Sequence, residues 1–547
     1  MELEKGLPEV AKKNRRVGGT VLAVAIALAV TATLVLRSPA VRYGKAEAML
    51  EQGEYAEAYQ MLEKLGDYKD TQKILLYLDA RELLTRETWQ DAKELLALLG
   101  DYRDAPVLLE QLQRYEQACS YMTIKRYESA AEQFLSLGEF LDAAEKAERS
   151  QRLVVVNTEY KDGWMKFQTG EWLEAYRILF SIAGEEYEDT MEILDEITTT
   201  AEERIRYYAE QGERIKMLAF LCLMDEIDAG KSAALRQELV AAETFEADFS
   251  YYQLDPTPLT SCSSDTQAEE FVPTLVYMLL NGVTKITLPS DSELDKAAVL
   301  EQSFRAHNLV FNIIPRYASL YSFNITAEGN SIEIELSYDQ RFSEERRNQL
   351  VEVYETFCEE SLCELTEAGL LSASMSRKEK AIVISEWIGF YLTYDDMLEI
   401  HAAGEAVEKA SGVCSAYAML YHRMCNLAGI PTYAQGGTAY SASGSEGHIW
   451  LIHADEDGKI FYADPTWADS WEDDFSADAE KPTVAQFAGR YLERCLTSAV
   501  KEYKHNSVSA GQGNSVYLWS SYLWSSHVAG RTAKEIVAAH QRLLGES

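Results

Sequence analysis

The chain has 547 residues and a formal net charge of −38, with 51 basic against 89 acidic side chains. A surface this acidic excludes a phosphate-backbone partner, so no nucleic acid is expected. Eight scattered cysteines are too few for a disulfide framework and leave a single reactive thiol possible.

Taken in chain order, 1–16 is a short basic leader. Lys12, Lys13, Arg15 and Arg16 precede twenty uncharged residues, 17–36. At 1.5 Å per residue such a helix spans about 30 Å, the thickness of a bilayer core. The sequence therefore predicts a transmembrane helix over 17–36. By the positive-inside rule the N-terminus is cytoplasmic and the bulk of the chain extracellular, a single-pass protein of the cell membrane. The alternative is a cleaved signal peptide, with small residues at Ser38 and Ala40.

Residues 40–243 read as helical repeats. One motif recurs at Gly53-Glu54-Tyr55-Ala56-Glu57-Ala58, Glu87-Thr88-Trp89-Gln90-Asp91-Ala92, Lys125-Arg126-Tyr127-Glu128-Ser129-Ala130 and Gly170-Glu171-Trp172-Leu173-Glu174-Ala175. A second follows the first three copies, at Gly66-Asp67-Tyr68-Lys69-Asp70, Gly100-Asp101-Tyr102-Arg103-Asp104 and Gly138-Glu139-Phe140-Leu141-Asp142, with a looser form at 186–189. The pattern resembles tetratricopeptide-type helical hairpins, in which an aromatic and a small residue lock two antiparallel helices. Such repeats imply either a groove for a protein partner or a rigid spacer.

Residues 245–375 change texture after Pro256-Thr257-Pro258. Strands are expected at 285–288, 320–325 and 331–338, flanked by helices at 293–306 and 343–363, which makes a small α+β domain of unknown role. Cys358 and Cys363 lie five apart in a helix-like run and point different ways, so they are not expected to be bridged. Residues 376–547 form the last unit, with a helical C-terminal extension that includes 532–544. Trp519 and Trp524 are expected to serve packing.

Within that unit Cys414 stands at a Gly-to-helix junction. The segment 415–425 has helical periodicity, so the helix dipole favours a thiolate and a first-turn amide is available to an oxyanion. His448 opens an alternating apolar run that reads as a strand, and 455–459 is a turn. The return strand 460–463 ends at Asp464-Pro465. A His and an Asp on one face of such a hairpin can meet across the ladder, although direct opposition calls for a bulge or an uneven loop. A thiol, an imidazole and a carboxylate are the parts of nucleophilic cysteine catalysis. His453, beside the turn, is expected at the surface. His422 and Cys425 share a helix without a second ligand pair, and the acidic run 469–474 lacks the signature of a calcium loop, so no metal or other cofactor is expected.

Gly412-Val413-Cys414-Ser415-Ala416-Tyr417-Ala418, Gly447-His448-Ile449-Trp450 and Phe461-Tyr462-Ala463-Asp464-Pro465-Thr466-Trp467 together resemble the transglutaminase-like, papain-related superfamily. Its members carry GVC, HAW and DPTW motifs in this order. This chain has Ile449 where the family has Ala, and Leu451 where Asn is common. The resemblance covers roughly 375–475 and implies an α+β papain-like fold. It implies Cys414 as nucleophile, His448 as general base and acid, and Asp464 as the orienting carboxylate. Trp450, Trp467 and Tyr394 are expected to line the substrate cleft, although Trp450, Trp467 and Trp471 fit the core beneath it equally well. The whole then reads as a multidomain, membrane-anchored cysteine enzyme acting on protein or peptide amides through a thioester, with hydrolysis favoured because relatives of this bacterial-looking type resemble proteases. The alternative is a non-catalytic scaffold that uses the helical repeats.

Overall fold

The structure, a computed structural model, describes residues 38–248, 256–441, 444–458, 460–467, 469, 471, 481–504 and 538. The chain divides into two compact units, residues 1–160 and 161–547.

In the first unit the helices are α1 (Pro39–Glu51), α2 (Tyr55–Glu63), α3 (Thr71–Glu82), α4 (Trp89–Leu99), α5 (Ala105–Thr123) and α6 (Tyr127–Leu137), followed by the start of α7 (Ala143–Thr169). The motif alanines Ala58, Ala92 and Ala130 are fully buried, as close helix packing requires. Trp89 and Tyr127 are buried beside them, whereas Tyr55 of the first copy is 41% exposed. The second motif supplies a lock that the sequence reading did not contain. The Tyr77 and Tyr115 hydroxyls donate to Asp104 and Asp142, each at 2.6 Å. Tyr43 makes the same bond to Asp70. Each pair lies 27 residues apart and ties one helix to the turn that opens the next pair. A hydrogen bond to a charged group contributes about 1.5–3 kcal/mol.

Among the described residues the second unit contains α8 (Trp172–Ser181), α9 (Thr190–Gln211), α10 (Arg214–Ile227) and α11 (Ala229–Leu239), then three small sheets among further helices. Strands β1 (Lys285–Pro289), β2 (Tyr321–Glu328) and β3 (Ser331–Tyr338) form an antiparallel sheet of order β1-β3-β2. Tyr321, Phe323, Ile325, Ile332, Ile334 and Leu336 bury one face against α12 (Ala268–Asn281) and α13 (Lys296–Ile313). After α14 (Glu344–Glu367), α15 (Arg377–Tyr391) begins at a capping box made by Ser376 and Glu379. Cys358 and Cys363 are both free thiols on an unbroken α14. Two-residue strands β4 (Thr393–Tyr394) and β5 (Ser411–Gly412) pair in parallel, with α16 (Ala403–Lys409) between them. The central helix α17 (Cys414–Leu427) is buried almost along its whole length. It packs on the sheet β6-β7-β8, of strands Thr432–Ser441, Gly444–Ala454 and Ile460–Ala463. Asn312 of α13 links the two larger sheets, because its side-chain amide donates to the Ala434 carbonyl at 3.0 Å and accepts from the Ala434 amide. The last described helix, α18 (Val484–Lys504), packs Phe487 into the ring cluster of Trp387 and Phe390 on α15.

Two expectations require correction. Among the described residues no helix is long and apolar enough to cross a membrane. The long helices carry regularly spaced charges, such as Glu145, Lys146, Glu148, Arg149 and Arg152 on α7, which a bilayer core would not tolerate. The transmembrane helix at 17–36 lies outside the described residues, and the single-pass placement at the cell membrane is withdrawn with it. The fold class, expected as a membrane helix, an α-solenoid and two α+β domains, is corrected as well: the described residues are mostly helical with small sheets, and no membrane helix stands among them. Of the helix expected at 532–544 only residue 538 is among the described residues, where it is helical, and Trp519 and Trp524 fall outside them.

Candidate active site

Cys414 is the first residue of α17 and is half-buried. Its position depends on the Gly412 turn before it. A Cβ at Gly412 would stand 2.7 Å from the Ala416 Cβ and 2.9 Å from the Ala406 Cβ, so only glycine lets α16 and α17 close on this strand. Val413, the N-cap residue, is held by the bond from its amide to the Ile400 carbonyl at 3.0 Å. The first bond of the helix runs from the Ala416 amide to the Val413 carbonyl at 2.9 Å, so the amides of Cys414 and Ser415 precede it, at the positive end of the dipole.

His448 lies on β7, in register with Gly437 of β6. The ladder between β7 and β8 ends at Leu451 opposite Ala463, so the next residue, Asp464, stands across from Trp450. His448 is two residues further along the same face, and the carboxylate reaches it diagonally. No bulge is involved. The His448 Nε2 donates to Asp464 Oδ2 at 2.7 Å, and both side chains are almost wholly buried. The Asp-Pro-Thr-Trp sequence explains the rest. Pro465 sets the turn, the Trp467 amide donates to Asp464 Oδ1 at 3.2 Å, and the indole folds back onto the imidazole. The two rings stack with centroids 4.9 Å apart and planes 23° apart.

The Cys414 thiol is near enough to the same imidazole to favour its charged form. With Nε2 engaged by the carboxylate, Nδ1 is the ring nitrogen through which the imidazole would act on the thiol. Burial works against a charged ring, but Asp464 and Cys414 outweigh it and raise the His448 pKa to about 9. At neutral pH the ring therefore holds both protons, one toward Asp464 and one toward the sulfur.

The three residues expected in a cleft separate. Trp450 is buried in the core, whereas Trp467 and Tyr394 are half-buried. Tyr394 pairs with Gly412 across β4 and β5, and its ring lies 6.4 Å from that of Tyr417. His453 is not at the surface. It is fully buried under α17, bonded at 2.9 Å to both the Tyr421 hydroxyl and the Thr432 hydroxyl, and burial pushes its pKa down to about 3. A neutral, fixed ring of this kind serves packing. His422 is buried too and contacts the Asn426 side chain, and among the described residues no group of three or more His, Cys, Asp or Glu side chains converges on a metal position.

No family model and no curated protein matches the chain. A solved structure described as the crystal structure of a TGase is similar over 36% of this chain and 53% of its own length, at 13% identity and a TM-score of 0.19. The chain thus spans about half of that structure. A likeness at that TM-score carries no argument, so the functional reading rests on the site itself.

Proposed function

We propose that the chain is a transglutaminase-like cysteine enzyme that cleaves peptide or amide bonds through Cys414. One observation carries the reading. A buried imidazole donates to a carboxylate at 2.7 Å, and its charged form is favoured by a thiol at the start of a buried helix. The thiol gives its proton to the imidazole. The sulfur attacks the carbonyl carbon, and first-turn amides of α17 receive the negative oxygen. The tetrahedral intermediate collapses as His448 passes its Nδ1 proton to the departing amine, which leaves a thioester on Cys414. Water then loses a proton to His448 as it attacks the thioester, and the sulfur leaves with the proton shared again with the ring. Asp464 keeps the ring oriented throughout. The helical hairpins, read as tetratricopeptide-like repeats from their shared aromatic and alanine positions, carry this unit toward a protein partner or hold it at a distance.

An activated ester tests the chemistry without knowledge of the substrate. With p-nitrophenyl acetate, the wild type is expected to release a burst of p-nitrophenol and to carry one acetyl group on Cys414 by mass spectrometry. His448→Ala should lose the burst while keeping the cysteine. Acetylation spread equally over Cys363 and Cys414, insensitive to His448, would end the proposal.

A further inference from the structure

We infer that the loop 395–401 is the specificity element of this site, and that Met397 and Leu398 hold a bulky apolar side chain of a peptide substrate. The inference rests on Cys414 being the nucleophile. The loop leaves and rejoins the residues that bracket the sulfur. Its first amide, from Asp395, donates to the Gly412 carbonyl at 3.1 Å. At the other end the Ile400 carbonyl accepts from the Val413 amide at 3.0 Å, and the His401 carbonyl accepts from the Ser415 hydroxyl at 2.9 Å. Leu398, two residues before Ile400, is thus within roughly 7 Å of chain from the residue hydrogen-bonded to Val413, the neighbour of Cys414.

The loop is also internally built. The Asp395 carboxylate accepts from the amides of Met397, Glu399 and Ile400 at 3.1, 2.7 and 2.8 Å. The His401 Nε2 donates to the Leu398 carbonyl at 3.0 Å, and Arg341 Nη1 donates to the Glu399 carbonyl at 3.0 Å. Within this frame Leu398 takes a left-handed backbone, φ +56°, which a leucine adopts only at a cost. The result is two adjacent large apolar side chains turned to solvent, Met397 75% and Leu398 57% exposed. A single exposed leucine needs no explanation. Two neighbours on a tip braced at both ends against the nucleophile's own turn form a preorganised contact, which is how binding energy is spent near a reacting atom. The exposed carboxylates of Asp396 and Glu399 flank the pair and disfavour an acidic neighbour in the bound peptide.

Two peptide electrophiles read the preference, N-acetyl-Phe-Ala chloromethyl ketone and N-acetyl-Gly-Ala chloromethyl ketone. Each alkylates the sulfur, forming the C–S bond with loss of chloride. In the wild type the Phe reagent is expected to inactivate Cys414 at least about tenfold faster than the Gly reagent, the scale of apolar pocket discrimination. The ratio should fall toward one in Met397→Ser/Leu398→Ser. Because the ratio is taken within each protein, a general loss of folding or thiol reactivity does not imitate the effect. A wild-type ratio near one, or a ratio unchanged in the double variant, overturns the assignment of the loop. Iodoacetamide, which has no side chain to be held, separates the two failures. If its rate at Cys414 depends on His448, the nucleophile reading stands and the loop alone is wrong; if it does not, both fall.

Discussion

Asp464→Asn slows acylation of Cys414 by about a thousandfold to ten-thousandfold, the range found when a triad carboxylate is replaced by its amide. The substitution is nearly isosteric, and Oδ1 still accepts from the Trp467 amide. The change falls on the atom at 2.7 Å from His448 Nε2. A carboxylate there accepts and fixes a proton on Nε2, so that Nδ1 meets the sulfur. An amide nitrogen donates instead, which drives the ring proton to Nδ1 and leaves the imidazole unable to take a proton from the thiol. The ring also loses the larger of the two partners that oppose burial, so its pKa falls from about 9.

Two readouts check this. The burst rate with p-nitrophenyl acetate gives the catalytic loss, and NMR titration of His448 gives the midpoint. The stability consequence has a definite sign. A ring whose pKa is about 9 folded and 6.5 unfolded contributes stability that is complete below pH 6.5 and is lost as pH rises through about 9. The stability gap between wild type and Asp464→Asn should therefore be largest in the acidic to neutral range and close above pH 9. A burst reduced only slightly, with an unchanged titration, would remove Asp464 from the mechanism.

Gly412→Ala is the second large effect, and it acts through packing. The added methyl would meet Ala416 at 2.7 Å and Ala406 at 2.9 Å. Both neighbours are themselves Cβ atoms of fully buried alanines, so no side chain can rotate away and α16 or α17 has to shift. Overpacking of this kind costs about 1–3 kcal/mol. Cys414 is two residues away on the helix that moves, and a displacement of about 1 Å at a reacting group costs on the order of a hundredfold in rate. Urea denaturation should show the lost stability, and the acetylation burst should fall further than stability alone explains. Gly489→Ala is the control, since a Cβ there meets nothing within 4 Å on α18. Equal behaviour of the two variants would contradict the packing argument.

Much of the site could be read from residues because its three motifs are local. A Gly before the cysteine, an alternating run after the histidine and an Asp-Pro turn each leave a mark on adjacent positions. The parts that could not be read are set by distant partners. Strand β6 holds Gly436 and Gly437 and lacks clean alternation, so nothing in it announced a strand, although it pairs along β7 and covers His453. Without β6 and α17 above it, a histidine beside a turn looks exposed. The bonds from Tyr77 to Asp104 and from Tyr115 to Asp142 recur at a fixed separation of 27 residues, yet no local rule relates positions in successive hairpins. Trp450 shares its strand and its face with His448, but burial and not spacing decides that it is core. The apolar run 17–36 shows the limit of composition, because hydropathy alone suggested an anchor that the described helices do not provide.

The central claim is that His448 activates Cys414. Iodoacetamide labelling at neutral pH, with both sites followed by mass spectrometry in one sample, tests it most directly. Cys363 is the internal standard: it is an exposed thiol on α14 whose pKa is raised by desolvation and by neighbouring glutamates. The account predicts that Cys414 is alkylated well ahead of Cys363 in the wild type although it is less exposed, and that the advantage disappears in His448→Ala. Equal rates at the two cysteines in the wild type, or an advantage that survives loss of the imidazole, would contradict it.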